Sequence, residues 1–372
     1  MSRRLWVPGV LLLIALLGVQ FYALRLPVKL HLPQQQHVSS INPKIGLHTR
    51  LADSADEHYI EQSLQQVREM GGSWIVDLFP WAYIQPRSPS GFDWSGSDMI
   101  IQHARRQGLQ VIARLDIVPE WARPANSSDR YLDPEHYVDY ASYVVAFLQR
   151  YRPFGVRHVI IWNEPNLAQE WGNRPPDPGA YAALLKVVYP RVKAAVPDAL
   201  VLAAGLSPGE ALGGHGEVRM TDVQFLYSLY QARAAPFFDL LAVHTYGNTS
   251  PPDNPPDPKV VDFRRVEVLH ALMLAAGDTH KHIIITEGGW NDSVRWTAAV
   301  RPSQRVHWTV QAYQMAQRWD WLDAMCLWQL GLPQPTHTYQ DNWGFVASDG
   351  TPKAVYWAVQ AYARPEITHQ AQ

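Results

Sequence analysis

The chain has 372 residues, of which 47% are hydrophobic and 18% charged, with a formal net charge of -2. That apolar share suits a globular protein of one large domain or two ordinary ones, and with no basic block beyond the extreme N-terminus nothing points to a nucleic-acid partner. The one cysteine, Cys326, excludes an intrachain disulfide and a multi-cysteine metal site, and reads as a small core residue.

In chain order, Leu5 to Leu24 is a nearly unbroken apolar run behind Arg3 and Arg4. About 20 such residues cross a hydrocarbon core of roughly 30 Å. Basic residues ahead of the run predict an N-terminus in the cytoplasm and the bulk of the chain outside it. A cleaved signal peptide is the rival reading. No clean small-x-small cleavage site follows, so residues 1–26 are expected to be an uncleaved membrane anchor or signal segment. Residues 27–43, with Gln34, Gln35 and Gln36, read as a stalk.

From residue 44 to about 366, β-type runs alternate with helical patterns. Strands are expected at Lys44–His48, Trp74–Phe79, Gln110–Leu115, from His158 to Glu164, at Leu200–Ala204 and Phe238–His244, from His282 to Glu287, and at Ala324–Leu330. Helices are expected near 54–70, 97–107, 133–151, 179–195, up to 233, up to 276, 303–319 and 352–362. Strict alternation predicts parallel strands with right-handed crossovers and a (β/α)8 TIM barrel of α/β class, preceded by one N-terminal transmembrane or signal helix. An open doubly wound sheet is the rival, but no strand–helix junction carries Gly-x-Gly-x-x-Gly.

Two apolar strands stop at carboxylates, Glu164 and Glu287. In a closed barrel both face one mouth, at the carboxyl ends of the strands. Two carboxylates across a cleft can break a glycosidic bond, with retention at a separation of about 5 Å and inversion at roughly 6.5–9.5 Å. The plainer alternative is two rim carboxylates in ion pairs. The 15 Trp and 17 Tyr suit either a large core or a cleft whose ring faces stack on sugars. No metal or organic cofactor is implied, because no His-x-x-x-His pair occurs. An esterase is disfavoured, because no Gly-x-Ser-x-Gly elbow is expected.

Trp162-Asn163-Glu164-Pro165-Asn166 resembles the acid/base motif of clan A glycoside hydrolases, most of all family 39 and its xylosidase-like and exopolysaccharide-hydrolase-like relatives. The likeness extends through Phe79-Pro80-Trp81, Ile84-Gln85-Pro86, Phe92-Asp93-Trp94, Pro119-Glu120-Trp121-Ala122, His244-Thr245-Tyr246 and Asn342-Trp343-Gly344-Phe345. It implies a retaining hydrolase of a β-linked oligo- or polysaccharide. Glu164 would be the acid/base, Glu287 the nucleophile, and Asn163 the partner of the sugar 2-hydroxyl. Tyr246 would orient Glu287, and His244 would line the cleft beside it. Trp328 matches the floor of the sugar subsite. Trp290, Trp81, Trp121, Trp343 and His48 are further cleft candidates. One departure stands out: many relatives carry an arginine near the end of strand two, where this chain has Val76 or Asp77, and Arg114 on strand three is a candidate substitute. A transglycosylase, or a non-catalytic glycan-binding scaffold of a polysaccharide assembly, would share much of this pattern.

Overall fold

The computed structural model describes residues 30–87, 91–209 and 219–364. The apolar run Leu5–Leu24 lies outside the described residues, and among those described no helix is long and apolar enough to cross a membrane.

Eight parallel strands close into a barrel in chain order, the eighth pairing with the first. They are β1 (Ile45–His48), β2 (Trp74–Leu78), β3 (Gln110–Leu115), β4 (His158–Ile161), β5 (Leu200–Ala203), β6 (Leu240–Tyr246), β7 (Ile283–Gly289) and β8 (Leu322–Trp328). The main helices between and after them are α1 (Glu57–Glu69), α2 (Ser95–Arg106), α3 (Tyr137–Tyr151), α4 (Pro178–Ala195), α5 (Asp222–Gln231), α6 (Arg265–Ala275), α7 (Pro302–Gln317) and α8 (Ala354–Ala363). Local chemistry marks their ends. Asp177 accepts from the Ala180 N–H at 2.9 Å and Pro178 opens α4. Gly108, at φ +71°, follows α2.

Alternation along the strands makes two cores. Residues facing the helices form the larger one. Trp74, Val76, Ile112, Ile160, Leu202, Leu240, Ala242, Ile284, Ala324 and Cys326 form the smaller one, inside the barrel. The next inward positions along β3, β6 and β8 are Arg114, His244 and Trp328. The barrel interior therefore changes from apolar to charged one step toward the carboxyl ends.

Two strand boundaries differ from expectation in ways that matter. β4 stops at Ile161, three residues before Glu164. β7 runs on past Glu287 to Gly289, with a register shift that pairs Val243 with Ile285 but His244 with Glu287. Thr286 is thus an extra residue on β7. Since Ile284 points inward, plain alternation would turn Glu287 outward, and the bulge turns it back in. Gly288 permits the tight pairing beyond the bulge, because a Cβ there would lie 2.3 Å from the Thr245 carbonyl oxygen.

Helix-borne tyrosines pin the barrel rim. Tyr143 donates to the Phe79 carbonyl at 2.6 Å, Tyr181 to that of Ile161 at 2.7 Å, and Tyr140 to that of Leu115. These carbonyls lie at or just beyond the ends of β2, β4 and β3. Buried strand-end carbonyls left unpaired would each cost about 1–3 kcal/mol.

Candidate active site

The segment after β4 is kinked. Trp162 and Glu164 have φ +76° and +37°, the left-handed region that costs a non-glycine residue about 1–3 kcal/mol unless its surroundings hold it. They do hold it. The Trp162 N–H donates to Leu115 at 3.2 Å and the Glu164 N–H to Gly205 at 3.0 Å. The Trp162 indole donates to the Glu170 carbonyl at 2.7 Å. The Asn166 amide donates to Ser207 and Met220 and accepts from the Ser207 N–H. The kink carries Glu164 over the barrel mouth, opposite Glu287.

One oxygen from each of these carboxylates and one His244 ring nitrogen all lie within 4.8 Å of one another. The Glu287 Oε1 accepts from Arg114 at 3.1 Å and its Oε2 from the Tyr246 hydroxyl at 2.8 Å. His244 Nδ1 stands 2.8 Å from Glu164 Oε1 and 3.7 Å from Glu287 Oε2, so the imidazole joins the two acids. Gly205 leaves room for that ring, since a Cβ there would lie 2.4 Å from it.

Two buried histidines beside Glu287 titrate in opposite directions. Burial, then the charges of Arg114 and Arg50, hold His48 well below the usual imidazole range. Its Nδ1 faces the Thr49 carbonyl at 2.8 Å and therefore carries the proton, which leaves the Nε2 lone pair toward Arg114. Burial also works against charge on His244, but Glu287 and then Glu164 outweigh it and raise its pKa. Burial, reinforced by Glu287, pushes the Tyr246 phenol well above its ordinary value, so it stays a donor.

Behind the two acids runs a charged chain that the sequence reading did not find. Arg114 Nη1 reaches Asn163 Oδ1 at 3.2 Å as well as Glu287, and its Nε is 3.3 Å from Asp116. Asp116 pairs with Arg130 at 2.5 Å, Arg130 lies 3.3 Å from Glu170, and Glu170 accepts from Asn163 Nδ2 at 3.3 Å. Asp116 is fully buried. Burial raises the Glu170 carboxyl; Arg130 opposes this and Glu164 adds to it. The available signal was two-residue spacing on β3, Ile112–Arg114–Asp116, which puts both charges on the interior face. Arg114, from β3, provides the cation beside Glu287. Asp77, on β2, accepts from Thr49 at 2.6 Å and from the Leu51 N–H at 3.0 Å.

The cleft has a volume of about 800 Å³, and its lining includes Arg114, Asn163, Glu164, Glu170, Glu287 and Trp328. Trp328 meets His48 edge-on at 4.7 Å. The other aromatic candidates lie outside the cleft lining. Trp81 is fully buried, with its indole on Gln85 and its ring stacked on Tyr143 at 5.8 Å. Trp290, 2% exposed, donates to the Ser250 carbonyl and packs under the loop after β6. Trp343 is buried edge-on against Tyr246 at 5.1 Å, and Trp121 braces the Gln85 carbonyl at 2.9 Å outside the cleft lining. His48 and His244 are also buried, behind the carboxylates rather than open to the cleft.

Gly205-Leu206-Ser207-Pro208-Gly209 does have the Gly-x-Ser-x-Gly spacing of an esterase elbow. The Ser207 N–H is tied to the Asn166 side chain at 2.9 Å, and among the described residues the next helix is α5, at Asp222. Glu164, His244 and Glu287 are the described residues closest to a metal-ligand set. Arg114 already provides the cationic partner of Glu287, and Tyr246 and His244 hydrogen-bond to the carboxylate oxygens a cation would use.

No protein-family model and no curated protein matches the sequence. Solved structures do. A family 39 glycoside hydrolase from the gut symbiont Bacteroides cellulosilyticus WH2 superposes with a TM-score of 0.67 at 18% identity, over 90% of this chain and 65% of that one. A GH39 β-xylosidase from Caulobacter crescentus does so at 0.62 and 18%, over 88% of this chain and 73% of that one. The exo-β-1,4-mannosidase Op5Man5 from Opitutaceae bacterium strain TAV5 gives 0.57 and 15%, over 91% and 63%. The chain thus spans 65% of the first of these relatives, and at such identities the likeness is one of fold.

Proposed function

We propose that this chain is a glycoside hydrolase that cleaves β-linked glycans or glycosides by double displacement, with residues 44–366 as its catalytic domain. The observation that carries the reading is the approach of Glu164 and Glu287 to within 4.8 Å across the cleft. That is close to the separation of about 5 Å that suits retention and leaves too little room for an inverting water. The names of the fold neighbours, a family 39 hydrolase, a β-xylosidase and a β-mannosidase, support a glycosidic substrate.

In this reading Glu287 attacks the anomeric carbon while Glu164 gives its proton to the departing glycosidic oxygen. The products are a glycosyl ester on Glu287 and a free alcohol. Glu164, now a carboxylate, takes a proton from water as that water attacks the ester, which restores both acids. Arg114 and Tyr246 donate to the two Glu287 carboxylate oxygens and aim them. Asn163, gripped by Arg114 and Glu170, presents its amide to the sugar. The proton between His244 Nδ1 and Glu164 Oε1 lies on a 2.8 Å line, so His244 can exchange charge with the acid between the two steps. The run Leu5–Leu24 behind Arg3 and Arg4 supports an enzyme anchored in the membrane with its barrel outside the cytoplasm. A secreted form after cleavage is the alternative.

The test uses aryl β-glycosides and follows the first-formed anomer by proton NMR. A 2-fluoro glycoside with a good leaving group should add one sugar mass, located on Glu287 by peptide mapping. Glu164→Ala should lower turnover of poor leaving groups by about 10²–10⁴-fold and of activated aryl glycosides far less. An inverted first product, or labelling that survives Glu287→Gln, would overturn the mechanism.

A further inference from the structure

The cleft has two unlike ends. Around Glu164 and Glu287 its walls are charged; the loops after β2 and β3 add apolar surface, with Tyr83, Pro86 and Ile117, beside the charged Glu120, Arg123 and Asp129. Tyr83 is 64% exposed, among the most exposed large hydrophobic residues described. Among the described residues its side chain makes no hydrogen bond and no ring contact, while its N–H donates to the Pro80 carbonyl at 3.1 Å. Yet its backbone is rigidly held. Tyr83 sits in the single helical turn Trp81–Ile84. The Trp81 and Ala82 N–H groups donate to the carbonyls of Asp116 and Ile117, each at 2.9 Å. The Trp81 ring is locked in the core beneath, between Tyr143 and Trp121. An aromatic side chain left bare on a fixed turn, beside Pro80, Pro86 and Ile117 in the cleft lining, is a preformed stacking surface rather than a mobile surface residue.

Resting on the glycosidase reading, we propose that Tyr83 and this apolar wall form a second sugar subsite, which stacks on the C–H face of the residue next to the scissile one. The cleft volume is near the upper end of ordinary small-ligand sites, which run to about 1,000 Å³, and so accommodates more than one sugar ring. The chemistry divides accordingly: hydroxyls of the reacting sugar meet Arg114, Asn163 and the carboxylates, while its neighbour is held by apolar contact. The enzyme therefore favours chains over simple glycosides.

The experiment measures kcat/KM for the full-length protein on β-linked xylo-, gluco- and manno-oligosaccharides of two to four residues, and on the matching β-monoglycosyl fluorides, whose leaving group is too small to occupy a second ring's place. Wild type, Tyr83→Ala, Tyr83→Phe and Glu287→Gln are compared, with Glu287→Gln also assayed for binding. The ratio of oligosaccharide to monoglycoside kcat/KM should fall about 10-fold in Tyr83→Ala, as expected for one lost aromatic contact, and be restored in Tyr83→Phe. Loss in proportion on both substrate types, or no loss on either, would overturn the subsite and leave the glycosidase reading standing. Full turnover in Glu287→Gln would overturn that reading instead. Neither turnover nor binding across the whole panel would overturn both.

Discussion

The lower and upper halves of the barrel interior are made by the same strands, and they obey different rules. In the lower half, Val76, Ile112, Ile160, Leu202 and Ile284 fill the space with aliphatic side chains that need no partners. One inward step higher, Arg114, His244 and Glu287 bring charge into a buried layer. Burying one ion costs several kcal/mol, so each charge there needs an opposite neighbour. The chain Glu287–Arg114–Asp116–Arg130–Glu170 meets that need with alternating signs. The lower layer adds stability by burial alone; the upper layer gives up stability to hold charged groups in one geometry.

The sharpest way to break this comparison is Arg114→Met. It strips the cation from Glu287 and Asn163 together. We expect kcat to fall by about 10²-fold or more and stability to drop by roughly 3 kcal/mol, because a buried carboxylate is left uncompensated. Adding Glu287→Gln should recover most of the stability and none of the activity. Denaturant titration beside kinetics checks both; a double variant no more stable than the single one would show that the layer is held by shape rather than charge.

Ile112→Ala tests the lower layer. It should cost about 2–5 kcal/mol as a core truncation, with kcat of the folded enzyme changing less than about 3-fold. Urea denaturation and kinetics at low temperature separate the two. A fall in kcat as large as that of Arg114→Met would mean that the layers are not separable.

The smallest effects come from the two histidines, and they sharpen the comparison within the upper layer. The His244 pKa is raised by folding, so its stabilisation is full below the unfolded value of about 6.5 and is lost as pH rises through the folded value. The His48 pKa is lowered, so its contribution is present above about 6.5 and is lost as pH falls toward the folded value. Profiles of Tm against pH should therefore flatten on the alkaline side in His244→Asn and on the acid side in His48→Asn. Flattening on the same side in both variants would contradict the opposed environments.

Much of the architecture was legible because barrels repeat one unit. Apolar β-branched runs, helix stops such as Gly108, and strict alternation were enough for eight strands and a shared mouth. Boundaries were less so. β6 was expected to end at His244 and extends to Tyr246, and β8 was expected to end at Leu330 and stops at Trp328. These limits depend on pairing with neighbours rather than on the run itself. Among the aromatics, residue type alone could not separate Trp328, which lines the cleft, from Trp81, which fills the core. Tyr83 has no sequence signature, because a lone tyrosine near a proline carries no pattern.

The sequence by itself determined the fold class, the presence of two glutamates after apolar strands, and the apolar N-terminal run, since all three are written in local composition and period. Only the tertiary structure decided that Glu287 points inward, because that depends on a bulge set by pairing with β6. Likewise only the tertiary structure decided that Arg114 takes the place beside it and that Asp116, Arg130 and Glu170 complete the charge chain. The Arg114–Asp116 pair, Glu170 and Glu287 lie far apart along the chain, and what joins them is the closure of the barrel, which places the ends of β3, β4, β6 and β7 around one small volume where no charge can be buried alone.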